Sequence, residues 1–317
     1  MPAQRSRTPN EGAARRIADS LYDDVAHVEW IPSDDADVFR LSFTSDRRRR
    51  ILKLAVPGIG AVWREIGAFP AMRNLGVPEV LELERTSDDL PDSGIEFHVT
   101  LELSDPHRAR RAMAELWAGE PSRALDVAEG LGDCTRRVES LDWRRVPRAN
   151  NPEHSVAVAT EWWHPQYVRL AERSDCPTWA RTLLDRLHTQ SSRCPQAFGG
   201  WGGELLQARD ESFVLIDWPG LGAAHSGSFA AAMLETLLRF RASDPTTLVQ
   251  RFLAGWRPRG IDDKSIDDLR LWWMHDILWW ASWTLGRDDG FDLAPVYARV
   301  LRCLHTDDPA GWLRLSV

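Results

Sequence analysis

The hydrophobic and polar positions follow two different periods along this chain, with a change near residue 106. In the first part, Ala13, Ala14, Ile17, Ala18 and Leu21 recur at helical spacing and predict a short helix over 11–23. Strand-like segments follow at Val25–Ile31, Val38–Phe43 and Ile51–Val56, separated by the polar turns Ser33–Asp37 and Thr44–Asp46. That is the pattern of an antiparallel meander. Pro57-Gly58 ends the third strand. A helix is predicted over 61–74, with Val62, Ile66, Phe69 and Met72 near one face, and Pro70 is expected to kink or split it. Val80–Leu83 and Phe97–Leu103 read as two more strands.

Beyond residue 106 helical periodicity dominates, over 108–118, 122–141, 156–173 with a break expected at Pro165, and 177–190. The glycine-rich stretch Phe198–Gly203 interrupts it and leads into two short strands, Glu204–Gln207 and Phe213–Asp217. Helices are predicted again near 228–242, 246–255, 265–285 and 293–305. The expected organisation is an arm over 1–10, a β-rich N-lobe over 11–103 and a helical C-lobe over 104–317. The fold class is α+β and two-lobed.

The chain has 317 residues, 43% hydrophobic and 27% charged, values of a soluble globular protein. Net charge of −8 argues against a nucleic-acid partner. No apolar run is long enough for a membrane span. The N-terminus lacks the apolar stretch of a signal peptide and reads as a disordered arm. Cys134, Cys176, Cys194 and Cys303 are widely spaced, which fits a reduced, cytosolic protein without a zinc site. The arginine excess and heavy use of Ala, Leu, Asp and Trp are the composition of a high-GC genome, and a bacterial source is expected.

Only two of the 39 basic residues are lysines, Lys53 and Lys264. Lys53 stands inside the apolar run Ile51–Val56, just after Arg47-Arg48-Arg49-Arg50. Arginine is a planar fork and lysine a compact point charge. A lysine kept inside a strand of so arginine-biased a chain suggests a task for a point charge, and docking nucleotide phosphates is one such task. The plain alternative is an exposed-face strand residue.

The order of elements resembles the aminoglycoside phosphotransferase family within the protein-kinase-like fold, over roughly residues 25 to 285. Ile51-Leu52-Lys53-Leu54 matches the strand whose lysine contacts phosphates and pairs with a glutamate of the next helix. Arg64-Glu65-Ile66-Gly67-Ala68-Phe69, then Leu75-Gly76-Val77-Pro78-Glu79-Val80, match that helix and the strand after it. Leu101-Glu102-Leu103 sits where a hinge would cup the base, and Ile216-Asp217-Trp218-Pro219-Gly220 resembles the family's Ile-Asp-Trp-x-Gly, whose aspartate holds magnesium. The resemblance thus implies ATP and Mg²⁺ as cofactors, with Lys53, Glu65, Glu102 and Asp217 around them.

The catalytic loop departs from this pattern. The family's loop reads His-Gly-Asp-x-x-x-x-Asn, with an aspartate that takes the acceptor proton and an asparagine that holds a metal. Here Phe198, Gly199 and Gly200 align with the first three positions, and the asparagine is either deleted beside Glu204 or replaced by Leu205. The phosphate-covering turn Ser33–Asp37 has no glycine and three carboxylates, which repel phosphate. Residues Ala224–Ala231 lack both aspartates of the family's Gly-Asp-Pro-x-x-Asp-Leu-Ala. Glu204 is the one residue placed to restore chemistry, as a metal ligand with Asp217 or as a base; the alternative is a charged residue at a strand start. The Phe198–Gly203 stretch is neither a Walker loop nor a Rossmann fingerprint, because no Lys-Ser/Thr follows and no strand leads into it.

Helix 265–285 carries five of the sixteen tryptophans, and Trp272, Trp279 and Trp283 share one face. An aromatic core is the simpler reading, an exposed aromatic wall the other. Asp276 lies among them and, by resemblance to family members that bind cationic substrates with C-lobe acids, is a substrate-site candidate. His164 reads as packed or capping, and Trp143-Arg144-Arg145 as a helix end. Two functional readings follow. One is a pseudokinase-like protein that binds a small-molecule, peptide or protein partner; the other is an active ATP-dependent phosphotransferase using Glu204 and Asp217.

Overall fold

The computed structural model describes residues 8–33, 36–46, 48–56, 61–74, 79–80, 82–102, 115–149, 151–195, 197–199, 206–209, 212–215, 222–238, 245–286 and 291–306. The N-lobe is a five-stranded sheet of β1 (Val25–Ile31), β2 (Asp37–Phe43), β3 (Arg50–Leu54), β5 (Leu83–Thr86) and β6 (Phe97–Leu101), in the order β1-β2-β3-β6-β5 and antiparallel throughout. Alternation along each strand decides its two faces. Phe39, Leu41, Leu52, Leu54, Phe97 and Val99 point one way and pack with Ala13, Ala14, Ile17 and Ala18 of α1 (Glu11–Leu21). Asn10 caps α1 by accepting from the Ala13 amide at 3.1 Å.

The other face meets α2 (Ala61–Arg73), where Val62 and Ile66 pack with Ala36, Val38 and Leu83. The split expected at Pro70 as the alternative to a kink does not occur, since the helix runs from Ala61 to Arg73 with Pro70 inside it. Pro70 lies on its exposed side, and its own carbonyl still accepts from the Asn74 amide at 3.4 Å. The single strand expected at Val80–Leu83 is two strands in different sheets. β4 (Glu79–Val80) pairs in parallel with β9 (Ser212–Leu215), while β5 joins the N-lobe sheet. A four-residue apolar run carries no information about its neighbours, so its pattern could not reveal the switch.

The C-lobe helices are α3 (Pro121–Glu139), α4 (Pro152–Val158), α5 (His164–Ala171), α6 (Thr178–Ser191), α7 (Ser228–Leu238), α8 (Pro245–Trp256), α9 (Asp263–Leu285) and α10 (Ala294–His305). Of the helix expected over 108–118, only the part from residue 115 is described, and the helix there runs over 115–119. The break expected at Pro165 is a π turn, Ala159–Trp163, joining α4 to α5. Proline lacks the amide that would bond four residues back, and widening the preceding turn makes room for its ring. Trp143–Arg145 is no helix end but a separate 3₁₀ turn, capped by Asp142, with Arg144 stacked 4.7 Å from the Trp143 ring centre.

One core fills this lobe. Trp256 and Trp273 are fully buried and Trp272 nearly so, which supports the aromatic-core reading; Trp280 at the outer side is 39% exposed. Gly132 of α3 and Gly255 of α8 let those two helices touch backbone to backbone: a Cβ at Gly132 would lie 2.0 Å from the Phe252 carbonyl oxygen, and one at Gly255 2.1 Å from that of Glu129.

Two small sheets lie near the lobe junction. β8 (Leu206–Arg209) and β9 form a hairpin. β7 (Ala197–Gly199) pairs antiparallel with β10 (Gly222–Ala224). A strand therefore does lead into the glycine-rich stretch, contrary to expectation; three residues are too short for a readable alternation. Among the described residues, no helix is long and apolar enough to cross a membrane.

Candidate functional site

Lys53 emerges from β3 on the face opposite α1, because Leu52 and Leu54 take the α1 face. It is not an exposed-face residue: only 8% of it is accessible. Its ammonium donates to Oε1 of Glu65 on α2 at 3.0 Å. The second oxygen of Glu65 lies 2.7 Å from Nε2 of His98. His98 is directly opposite Lys53 in the β3–β6 ladder, so the sheet register itself delivers both partners to one carboxylate. Glu65 is 2% exposed. Burial pushes its carboxyl up, but the nearby Lys53 charge and the His98 hydrogen bond outweigh burial and hold the pKa at about 2.

His98 was missed from sequence. The signal was present as a polar position alternating with Phe97 and Val99, yet the strand only reads as half-buried until its neighbour in the sheet is known. Its Nδ1 is buried and has no hydrogen-bond partner among the described residues.

α2 is held from the C-lobe side. A Cβ at Gly67 would lie 2.3 Å from the Pro147 carbonyl oxygen, so only glycine allows this approach. Arg148, in the left-handed region at φ 60°, lies over Trp63 and reaches Glu96 at 3.5 Å.

α2 covers the β6–β5 half of the Lys53 face. On the β1–β2–β3 half, Ile31 and Ile51 form a half-buried apolar shelf beside Lys53, while Val38, in the same cross-strand row as Lys53, packs against Val62 and Ile66 of α2. Beyond the shelf, Arg40 donates through Nε to Glu102 at 2.7 Å and through a terminal nitrogen to Glu29 at 2.8 Å. Glu102 closes β6, with its amide donating to the Arg49 carbonyl at 2.9 Å. Its carboxylate is thus engaged with Arg40. The shelf is apolar in the middle, with an ammonium at one end and an ion pair at the other. That arrangement fits a planar base on the shelf and a polyphosphate at Lys53. Of the acidic turn, Asp37 is buried and accepts from the Asn10 amide at 3.1 Å, so this carboxylate holds the start of α1.

Asp217 and Glu204 lie outside the described residues, as do Gly200 and Leu205. Asp276 is in the other lobe, on α9, with His275 Nε2 at 3.9 Å. His275 is part of a buried polar layer: its Nδ1 lies 2.6 Å from the Tyr167 hydroxyl. His225 stacks on Trp272 at 4.8 Å, and His164 reaches the Ser191 hydroxyl at 2.9 Å and stacks on His188. His164 is packed, as expected from sequence.

Burial lowers the pKa of His225 to about 4 and of His275 to about 3. Both are depressed below their unfolded value near 6.5. The unfolded chain therefore binds more protons between those values, and stability falls as pH drops below about 6.5. Urea melts between pH 7.5 and pH 4.5 should show a loss approaching 1.4 kcal/mol per pH unit for each histidine. The slope should flatten in His225→Phe, and an unchanged slope there would contradict a buried neutral His225.

No protein-family model and no curated protein sequence matches the chain. Solved structures do. An aminoglycoside-3′-phosphotransferase of type VIII aligns at 21% identity over 84% of this chain and 97% of that chain, with a TM-score of 0.54. A GDP complex of wild-type aminoglycoside 2′-phosphotransferase-IIIa aligns at 14% identity over 94% and 98%, with a TM-score of 0.53. Spectinomycin phosphotransferase APH(9)-Ia, in complex with ADP and spectinomycin, aligns at 12% identity over 95% and 96%, also at 0.53. The five-stranded N-lobe, the helical C-lobe and these alignments along nearly the whole chain give it the two-lobed protein-kinase-like fold of the aminoglycoside phosphotransferases.

Proposed function

We propose that this chain binds a nucleotide against the Lys53 shelf and acts by binding a small-molecule, peptide or protein partner, without efficient phosphoryl transfer. The observation that carries the nucleotide half is the buried Lys53–Glu65–His98 cluster. A buried ion pair is weak evidence for stability, since apolar replacements of similar volume are often as stable. What supports the reading is the placement of a compact ammonium beside a glutamate of the next helix, at the edge of an apolar strip of the sheet.

The noncatalytic half rests on the sequence. Gly200 stands where the family's proton-accepting aspartate does and has no side-chain acceptor. Leu205 or a deletion replaces the metal-binding asparagine. Loss of a general base alone costs about 10²–10⁴-fold in rate. The acidic turn at 33–37 supplies no glycine for backbone amides to approach phosphate. The active-phosphotransferase reading, with Glu204 and Asp217 sharing Mg²⁺, draws support from the neighbours being phosphotransferases in complex with GDP or ADP.

Thermal unfolding with ATP, with and without Mg²⁺, tests both halves. At about 100 times its Kd the nucleotide should add about 2.7 kcal/mol of stability. Lys53→Arg, which keeps the charge but not its shape, should weaken that gain. ADP release at each condition, with and without an aminoglycoside, should stay at background. An unchanged Tm would refute nucleotide binding, and steady ADP formation that depends on an acceptor would refute the noncatalytic reading.

A further inference from the structure

We propose that a groove on the outer side of the N-lobe binds an extended peptide segment in which an aliphatic side chain stands between an acidic and a basic residue. This site goes beyond the nucleotide reading and does not depend on it, because α1 and Lys53 lie on opposite faces of the sheet. The groove runs between α1 and the β5–β6 connection and has a volume of about 330 Å³. Its helix wall is the face of α1 from Ala13 to Ser20. Ile17, only 4% exposed, forms the floor with Leu90 and Ile95, which pack against the N-lobe core. The opposite wall is held in shape by its own hydrogen bonds. The Leu90 amide donates to the Ser87 carbonyl at 3.1 Å, the Ser93 amide to the Leu90 carbonyl at 3.0 Å, and the Ser93 hydroxyl to the Ile95 carbonyl at 3.0 Å. A wall already ordered before binding loses little entropy when a ligand arrives.

Charge narrows the kind of occupant. Arg16 stands on the helix wall and Asp92 on the loop wall, both exposed. They do not pair with each other, and neither side chain has another partner among the described residues. The neighbouring Arg15, by contrast, is engaged with Asp19 at 2.8 Å. An apolar floor between an unpaired cation and an unpaired anion is complementary to an aliphatic group flanked by opposite charges. Length and shape favour a peptide. From Ala13 to Ser20 the helix rises about 10 Å, which is the span of about three extended residues. Small-molecule sites bury most of the ligand surface. This groove has a floor and two walls and is open outward, so a chain can enter at one end and leave at the other.

Titration of the isotope-labelled full chain with the capped tripeptide Glu-Leu-Lys, followed by heteronuclear NMR, tests the assignment. Saturable shifts are expected at the amides of Ile17, Ser20 and Ile95, and none at Lys53 or Glu65. Capped Glu-Ser-Lys gives up the burial of leucine and should bind at least about tenfold more weakly. Capped Gln-Leu-Gln should lose about two- to fivefold, since exposed ion pairs contribute little each. Arg16→Glu makes both walls acidic. Capped Lys-Leu-Lys should then bind about two- to fivefold more tightly than it does to wild type, a gain that a merely structural effect would not produce. No shift at the groove amides with peptide in the millimolar range, or equal binding of Glu-Leu-Lys and Glu-Ser-Lys, overturns the site. Free leucine binding as tightly as the tripeptide overturns the peptide assignment. Shifts at the same amides on raising the protein concentration without peptide would make a second copy the occupant and overturn it too. The wild-type titrations need no variant and no nucleotide, so neither misfolding of Arg16→Glu nor the outcome of the ATP experiment obscures the result.

Discussion

Lys53→Met should destabilise the protein by about 3–5 kcal/mol at pH 7, the cost of removing one member of a buried ion pair. The reason is what remains. Glu65 stays at the interface of α2 and the sheet, 2% exposed, without the ammonium that its carboxylate accepts from and with His98 Nε2 still 2.7 Å away. In the intact protein Glu65 has a depressed pKa, so its contribution is present above about pH 4.5 and is lost as pH falls through about 2. Without Lys53, burial pushes the carboxyl back up, and the acid loss of stability should begin at higher pH. The double variant Lys53→Met/Glu65→Leu should recover much of the loss, because neither charge is then buried alone. Urea melts of wild type, both single variants and the double variant give the coupling energy directly. A coupling near zero would mean that Lys53 and Glu65 do not depend on one another. Lys53→Met should also abolish any nucleotide-induced stabilisation, which separates the binding role from the structural one.

Gly132→Ala should be strongly destabilising although alanine is the better helix former. Alanine in place of a mid-helix glycine gains about 1 kcal/mol from propensity. Here its methyl would lie 2.0 Å from the Phe252 carbonyl oxygen and 2.8 Å from the Trp256 amide nitrogen. Both are backbone atoms, so no rotamer change relieves the clash, and α3 and α8 must separate. Overpacking costs about 1–3 kcal/mol where side chains can adjust, and the upper end or more is expected where they cannot. Moving the helices apart would also loosen Trp256, whose indole donates to Glu139 at 2.8 Å and which is fully buried. Gly255→Ala should behave alike for the reciprocal reason, since its methyl would meet the Glu129 carbonyl oxygen. For a chain of 317 residues each kcal/mol corresponds to about 1.5 °C in Tm. Thermal melts of both variants against Gly119→Ala, a glycine with open space around its Cβ, separate overpacking from loss of glycine alone. Two core variants melting as high as wild type would contradict the close helix contact.

Much of the architecture could be read in the chain because it depends on local periodicity. Alternation in β1, β2, β3 and β6 and the helical spacing in α1 and α9 follow from which side chains must leave water, and the order of elements then resembled the kinase-like fold. Lys53 and Glu65 were legible for a second reason. A lone lysine in an apolar strand and a glutamate twelve positions later suit one specific pairing, and the structure brings them to 3.0 Å. The departure of the catalytic loop proposed above rests on the identity of the residues at 200 and 205 alone.

Pairing between distant strands was decided only by the tertiary structure. His98 joins Glu65 because β6 lies beside β3 in one register, and a slip of one residue would send it to the α1 face. Glu102 faces Arg40 for the same reason, across a β1–β2–β3–β6 order that no segment encodes alone. β4 left the N-lobe sheet to pair with β9, and the helix at Pro165 widened instead of breaking. In each case several local solutions satisfy the same hydrophobic pattern. Local periodicity therefore determined which apolar faces leave water, and residue identity which charges are unusual for their setting. The choice of partner for each buried charge belongs to the packed sheet and helices, because it depends on contacts between residues far apart in the chain.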